Sequence, residues 1–189
     1  MPIYLIRHTA PEKNGGLCYG QSDLPVARSF TQEAEAIRTV LPAKFQSVYS
    51  SPLQRCSILA KELFPSVEPK IKPQLQELDF GMWEMRYWSD IPRKELDAWA
   101  IDYVDTAPPL GESFRELYQR CVSVWETSLV REFAGNTAVV THAGVIRALL
   151  VHLLHIPLKN AFSLELQYGA VIRLQKVGNK DYTVAFLKH

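Results

Sequence analysis

The sequence has almost no net charge, only three cysteines and no long apolar run. Each scarcity closes off a class of function. Lys and Arg number 21 against 20 Asp and Glu, a formal net charge of +1. Nucleic-acid and anionic-membrane binders carry a basic surplus, so neither partner is expected and any positive charge that matters must be local. Cys18, Cys56 and Cys121 are odd in number and far from CxxC spacing. That speaks against a disulfide framework or a zinc site and suits a reducing, cytoplasmic setting. No apolar run reaches the length of a membrane span. The opening MPIYLIRH lacks the basic leader and the longer apolar stretch of a signal peptide, and reads instead as a first strand. Repeats and low-complexity segments are also missing. What remains is an ordinary globular composition, 47% hydrophobic and 22% charged, in 189 residues, enough for one domain with a sizeable core.

What is present alternates between strand and helix. Residues 2–7 (PIYLIR) predict a short buried strand that stops at His8. The segment 9–27 holds Pro11, Gly15, Gly16, Gly20 and Pro25 and reads as loop. Helical composition runs over 31–41 and ends at Pro42. Residues 47–50 are strand-like, Pro52 is suited to open a helix running to about Phe64, and 70–75 suggests a short strand. From about 77 to 134 the character changes: all four tryptophans lie here, with breaks at Gly81 and 107–111. This stretch is read as a helical insertion within one domain spanning 1–189. A long helix from about Ser113 to Phe133 closes it, with Ser113 and Glu116 as a capping box. Residues 137–141 (TAVVT) predict a buried strand, 142–144 a turn, and 145–155 a helix apolar nearly all round. Residues 170–177 and 182–187 predict a hairpin across 178–181. Strands alternating with helices argue an α/β layered fold with a largely parallel sheet.

In open α/β sheets, ligands bind outside the carboxyl ends of the strands. Three predicted strand ends carry unusual residues: Arg7 and His8 after the first, the run 51–55 ending in Arg55 after the second, and His142 after TAVVT. If these strands are parallel neighbours, two arginines and two histidines converge on one crevice. Such a cluster repels itself unless an anion occupies it, and arginine's planar fork matches phosphate oxygens. Each residue alone has a plainer explanation, since a strand-end Arg often pairs with a carboxylate and a strand-end His is often structural.

The local strings carry more. LIRHT at 5–9, SSPLQRCSILA at 50–60, LQELDFGMWE at 75–84 and VVTHAGVIRALL at 139–150 resemble, in order and spacing, the histidine phosphatase superfamily, the phosphoglycerate mutase-like group. The resemblance covers the chain from end to end. It implies a three-layer α/β/α fold with a mostly parallel central sheet, and no cofactor or metal. It implies His8 as the nucleophile that becomes phosphohistidine, Arg7, Arg55 and His142 as the phosphate pocket, and Glu77 as proton donor to the leaving group. The partner implied is a small phosphomonoester; nothing in the sequence sets an oligomeric state. Elementary chemistry agrees with these roles. Phosphoryl transfer needs mainly placement and charge stabilisation. A neutral imidazole can attack phosphorus while a backbone carbonyl holds its other nitrogen. Nearby arginines disfavour His8 protonation, and a bound phosphate dianion favours a protonated Glu77.

The chain departs from the family's usual pattern at Thr9, where glycine is common, and at Ala10, where glutamate is common. Phe30 and Glu33 stand where PLTxxGxxQA has glycine and glutamine, and Leu59 where threonine is frequent. These predict an altered loop-to-helix junction with the core residues intact. Asn14 falls where members carry a phosphate-contacting Asn.

RHTAPEKNGGLCYGQSDLPV and FGMWEMRYWSDI are similar to α-ribazole phosphatases, which act in cobalamin nucleotide-loop assembly. That similarity implies removal of the 5′-phosphate of α-ribazole phosphate. Thr9, Asn14, Tyr19, Gly20, Gln21 and Ala143 are candidates for lining the substrate pocket, the loop beside the nucleophile being well placed for it. Trp83, Tyr87, Trp88 and Trp99 could stack on a flat base, although most are expected to be core. Three rivals stand beside this reading: a phosphoglycerate mutase, a phospho-ligand binding module without turnover, and a metal site using His142, His152 and His155.

Overall fold

The computed structural model describes residues 1–13, 15–133, 135–178 and 181–189. Six strands form one sheet: β1 Pro2–Arg7, β2 Ser47–Ser50, β3 Lys70–Ile71, β4 Thr137–Thr141, β5 Val171–Val177 and β6 Asp181–Lys188. Their spatial order is β3-β2-β4-β1-β5-β6. The β3, β2, β4 and β1 ladders are parallel, and β5 and β6 add an antiparallel margin. Helices α1 Phe30–Arg38, α2 Gln54–Leu63, α3 Arg93–Ile101, α4 Phe114–Val124, α5 Val130–Glu132 and α6 Ala143–Leu153 surround it.

The three-layer build follows from the period-two geometry of the strands. On β1, Ile3 and Leu5 point to one face, where they pack with Leu117 and Cys121 of α4 and Ile146 and Leu150 of α6. Tyr4 and Ile6 point to the other, with Ala34 and Ile37 of α1 and Leu59 and Leu63 of α2. Val139 and Val140 of β4 divide in the same way. A strand buried on both faces has to be apolar throughout, which is why PIYLIR and TAVVT read as continuous runs. Helix α6 is buried nearly all round, as its composition predicts.

Several elements differ from the sequence reading. Helix α2 begins at Gln54, because Leu53 is still extended (ψ 135°) and the Gln54 N–H is taken by the Asp23 carboxylate at 2.8 Å. Helix α1 stops at Arg38, short of Pro42. The predicted strand over 70–75 is only Lys70–Ile71; Pro73 has no N–H to offer a ladder, and a 3-10 turn spans Pro73–Leu75. The start of the expected helical insertion consists of 3-10 turns at Gly81–Trp83 and Trp88–Asp90 ahead of α3. The long helix expected to close it is α4, a π-helical turn over Trp125–Leu129, and α5. A 3-10 segment over Leu158–Ser163 has no counterpart in the sequence reading. The β5–β6 hairpin is present, Val177 pairing with Asp181; residues 179 and 180 of its turn, and residue 134 at the end of the insertion, lie outside the described residues. No helix among the described residues is long and apolar enough to cross a membrane.

Because β2, β4 and β1 are parallel and adjacent, their carboxyl ends lie together. That arrangement brings the residues after them, Ser51, His142 and His8, to one edge.

The capping box at α4 is formed: the Ser113 hydroxyl accepts from the Glu116 N–H at 3.3 Å, and the Glu116 carboxylate accepts from the Ser113 N–H at 2.7 Å. Ser113→Ala is expected to destabilise the protein by about 1 kcal/mol, read as a lower urea midpoint with unchanged slope. An unaltered midpoint would mean that the cap adds nothing to the folded state.

Candidate active site

His8 follows β1 directly and is 2% exposed. Its backbone N–H continues the ladder to the Thr141 carbonyl (3.0 Å), and its carbonyl accepts from the Gly169 N–H (3.1 Å), so the residue is pinned from both sides. The imidazole Nδ1 lies 2.7 Å from the Thr9 carbonyl oxygen. A carbonyl can only accept, so Nδ1 carries the proton and Nε2 presents its lone pair. Burial, then Arg55 and Arg7, hold the His8 pKa well below the ordinary 6.5, against the opposing pull of the Thr9 carbonyl. His142, 5.1 Å away between ring centroids, is depressed in the same direction by burial first, then by His8 and Arg55. Its Nε2 meets the Ser51 hydroxyl at 2.8 Å.

The two arginines are held by carbonyls and aromatic rings. Arg7 donates through Nη1 to Leu166 O and lies 4.0 Å over the Tyr168 ring. Arg55, in the first turn of α2 and fully buried, donates to the carbonyls of Ser22 (2.8 Å) and Gly20 (2.5 Å). Neither pairs with a carboxylate among the described residues. Among the described residues four buried side-chain polar atoms lack a protein partner, and three belong to the residues around His8: Arg7 Nε, Arg55 Nε and Thr9 Oγ1. The fourth, Trp99 Nε1, belongs to the aromatic cluster of the insertion. Buried donors are ordinarily satisfied, and an oxyanion beside His8 would satisfy these.

Glu77 follows the 3-10 turn that β3 leads into. Its carboxylate accepts from the N–H of Leu78 (2.9 Å) and from the N–H of Gly144 in the first turn of α6 (3.1 Å). A Cβ on Gly144 would fall 2.2 Å from Glu77 Oε1, so only glycine admits this approach. Glu77 faces a cleft of about 400 Å³ that Arg7, Tyr19, Ala143 and Arg147 also line, with Phe80, Trp88, Phe162 and Tyr168 as apolar walls. The Tyr168 ring, a wall of the cleft, lies 5.7 Å from that of His8, which does not itself line the cleft. A larger cavity of about 600 Å³, between Arg38, Phe45 and Phe64, opens at the amino end of β2 and contains none of these groups.

Of the remaining sequence candidates, Tyr19 lines the cleft and its hydroxyl meets that of Tyr168 at 2.5 Å. Ala143 lines it at the start of α6. Gly20 and Gln21 do not line it: the Gly20 carbonyl holds Arg55, and the Gln21 side chain donates to the Glu77 carbonyl. Asn14 lies outside the described residues. Among the tryptophans, Trp88 reaches the cleft, whereas Trp83 is 1% exposed and donates to Glu95. The departures at Ala10 and Glu33 meet each other, the Glu33 carboxylate accepting from the Ala10 N–H at 2.9 Å. Two of the histidines of the metal reading are otherwise engaged, His142 with the Ser51 hydroxyl and His152 with the Tyr118 hydroxyl and the Glu126 carboxylate. Among the described residues no three His, Cys, Asp or Glu side chains are grouped to hold a metal ion.

Sequence reasoning missed Tyr168, Arg147 and Glu84. Tyr168 lies in a loop without a motif. Arg147 had a signal, being, apart from His152 in the last turn, the one polar side chain on an apolar helix. Glu84 was in view within WEMR, but its partners are set only by folding.

Comparison with known proteins bears on the family and the fold. The family model of the histidine phosphatase superfamily (branch 1) matches residues 3–187. The adenosylcobalamin/alpha-ribazole phosphatases of Salmonella typhimurium and Escherichia coli are each 28% identical over 176 residues, covering 89% of this chain and 87% of theirs. The crystal structure of the alpha-ribazole phosphatase from Shigella flexneri superposes with a TM-score of 0.88 at 26% identity, covering 98% of this chain and 95% of that one.

The two depressed histidines predict an acid sensitivity. Above pH 6.5 both the folded and the unfolded chain hold these rings neutral. Below it the unfolded chain takes up protons that the folded one resists, and stability falls by up to about 1.4 kcal/mol per pH unit for each ring. Denaturation midpoints should therefore drop between pH 6.5 and 5, and His8→Asn should make the drop shallower. The same steepness in that variant would mean that residue 8 titrates alike in both states.

Proposed function

The chain belongs to the histidine phosphatase superfamily (branch 1), and from this premise we propose that it is a phosphomonoesterase that works through phosphohistidine at His8. Its substrate in this reading is α-ribazole phosphate, which loses its 5′-phosphate in cobalamin nucleotide-loop assembly. The observation that carries the catalytic part is the state of His8: neutral, with Nδ1 tied to the Thr9 carbonyl, beside two guanidiniums that form no ion pair with a carboxylate among the described residues.

In the first half-reaction Nε2 of His8 attacks phosphorus and forms the N–P bond as the P–O bond to the leaving group breaks. Glu77 gives its proton to the departing oxygen. Arg7, Arg55 and His142 face the phosphoryl oxygens, and fixed charge is most of what such a transfer requires of a protein. The Thr9 carbonyl keeps Nδ1 protonated and stabilises the positive ring that forms. In the second half-reaction water attacks phosphorus, Glu77 takes its proton, the N–P bond breaks and His8 is regenerated with release of phosphate.

The substrate assignment draws on two supports. One is the similarity to the Salmonella and Escherichia proteins, whose names carry that activity. The other is the cleft, whose walls of Phe80, Trp88 and Phe162 suit a flat aromatic base.

Wild-type protein is expected to turn over α-ribazole phosphate with kcat/KM at least about tenfold above nucleotides and phosphosugars, and acid quench should trap a phosphorylated protein. His8→Ala should abolish both. A preference for 3-phosphoglycerate with phosphate retained on the product would mark a mutase instead, and binding without hydrolysis of any ester a non-catalytic module. Glu77→Gln should slow an alkyl phosphate more than p-nitrophenyl phosphate, since only the poor leaving group needs full protonation. Equal slowing of the two would remove Glu77 from the role of acid.

A further inference from the structure

Glu84 lies just beyond the 3-10 turn Gly81–Trp83 and does not line the cleft. Its carboxylate has no cationic partner among the described residues. It accepts instead from four backbone N–H groups: Gly20 (3.0 Å), Gln21 (2.9 Å), Ser22 (3.1 Å) and Phe80 (3.1 Å). Burial alone would raise its pKa; the hydrogen bonds from Ser22, Gly20, Gln21 and Phe80 outweigh burial and hold it below the usual carboxylate value.

The other side of the same loop holds Arg55. The carbonyls of Gly20 and Ser22 accept from its two Nη groups. One peptide unit joins the two charges directly: between residues 20 and 21, the C=O of Gly20 meets Arg55 and the N–H of Gln21 meets Glu84. Guanidinium, peptide and carboxylate stand in a chain in which each hydrogen bond polarises the next. The peptide dipole is aligned with both charges, so Glu84 orders the unit that binds Arg55 without itself pairing with the guanidinium. The loop has no slack, for a Cβ on Gly20 would lie 1.7 Å from the Leu78 carbonyl.

We propose that Glu84 is a positioning residue for the phosphate pocket, holding the 20–22 loop so that its carbonyls set the orientation of Arg55. This rests on the reading of Arg55 as a phosphate ligand. Two strings that stand far apart in the sequence, CYGQSD and WEMR, become one device: the first supplies the peptide units and the second the carboxylate that aims them.

A double-mutant cycle with p-nitrophenyl phosphate tests it, using Glu84→Gln, Arg55→Ala and the pair, with melting temperatures recorded for each. Glu84→Gln is expected to lower kcat/KM by about tenfold or more where Arg55 is present, and by less than about twofold in the Arg55→Ala background, because the effect passes through Arg55. A purely structural role would give the same fold-loss in both backgrounds, and that result, or no loss in the first, overturns the proposal. If Glu84→Gln does not fold, Glu84→Asp serves, with the charge kept and withdrawn by one methylene; the same coupling at smaller amplitude is expected, and equal losses again overturn it. Wild-type kcat/KM in Arg55→Ala alone would instead overturn the phosphate role of Arg55 on which the proposal stands.

Discussion

Two guanidiniums, Arg55 buried and Arg7 partly so, stand beside two buried imidazoles, and among the described residues neither forms an ion pair with a carboxylate. Removing an ion from water costs several kcal/mol even after relaxation, and the surroundings of the site answer that cost piece by piece. Carbonyls of Leu166, Gly20 and Ser22 accept from the guanidiniums, and the faces of Tyr168 and Tyr19 cover them. Each device leaves some of the donor capacity open. Burial, reinforced by the same positive field, holds the pKa values of His8 and His142 well down, so the constraint that makes the site costly also leaves His8 with a free ring lone pair.

The sheet supplies the rigidity that this arrangement demands. His8 and His142 follow neighbouring parallel strands, buried on both faces, that share a ladder from Ile3 and Thr137 to Arg7 and Thr141. Their relative placement is therefore set by backbone hydrogen bonds rather than by side-chain packing. Glu77 comes from a less regular place, after a two-residue strand and a 3-10 turn, and it is fixed instead by the N–H of Gly144 and by Arg120, which binds the carbonyls of Gln76 and Glu77. Phe80 and Trp88 then close one side of the cleft with aromatic surface, most of the surrounding rings packing on one another.

The apolar runs PIYLIR and TAVVT, the buried helix after His142 and the capping box at Ser113 were all legible along the chain, because each depends on local periodicity or on residues three apart. The breaks at Leu53 and Pro73 were less so. A helix that starts two residues late because Asp23 claims its first N–H, and a strand that stops at two residues, are outcomes of tertiary partners. The first half of the insertion was read as helix, but Gly81 at positive φ, pressed against the Pro109 carbonyl, and the packing of Trp83, Trp88 and Trp99 favour short 3-10 turns.

By itself, the sequence determined which chemical groups are available and that they follow strands: Arg7, His8, Arg55 and His142 stand next to patterns that announce strand ends, and four strings mark the family. Tertiary structure alone decided which partner each group meets. That Gly144 is bare because Glu77 lies against it, and that Glu84 reaches Arg55 through a peptide unit whose N–H comes from a residue 63 positions away in sequence, are contacts between distant segments. Local propensity carries no record of them, since they exist only once the sheet has brought its strand ends to one edge.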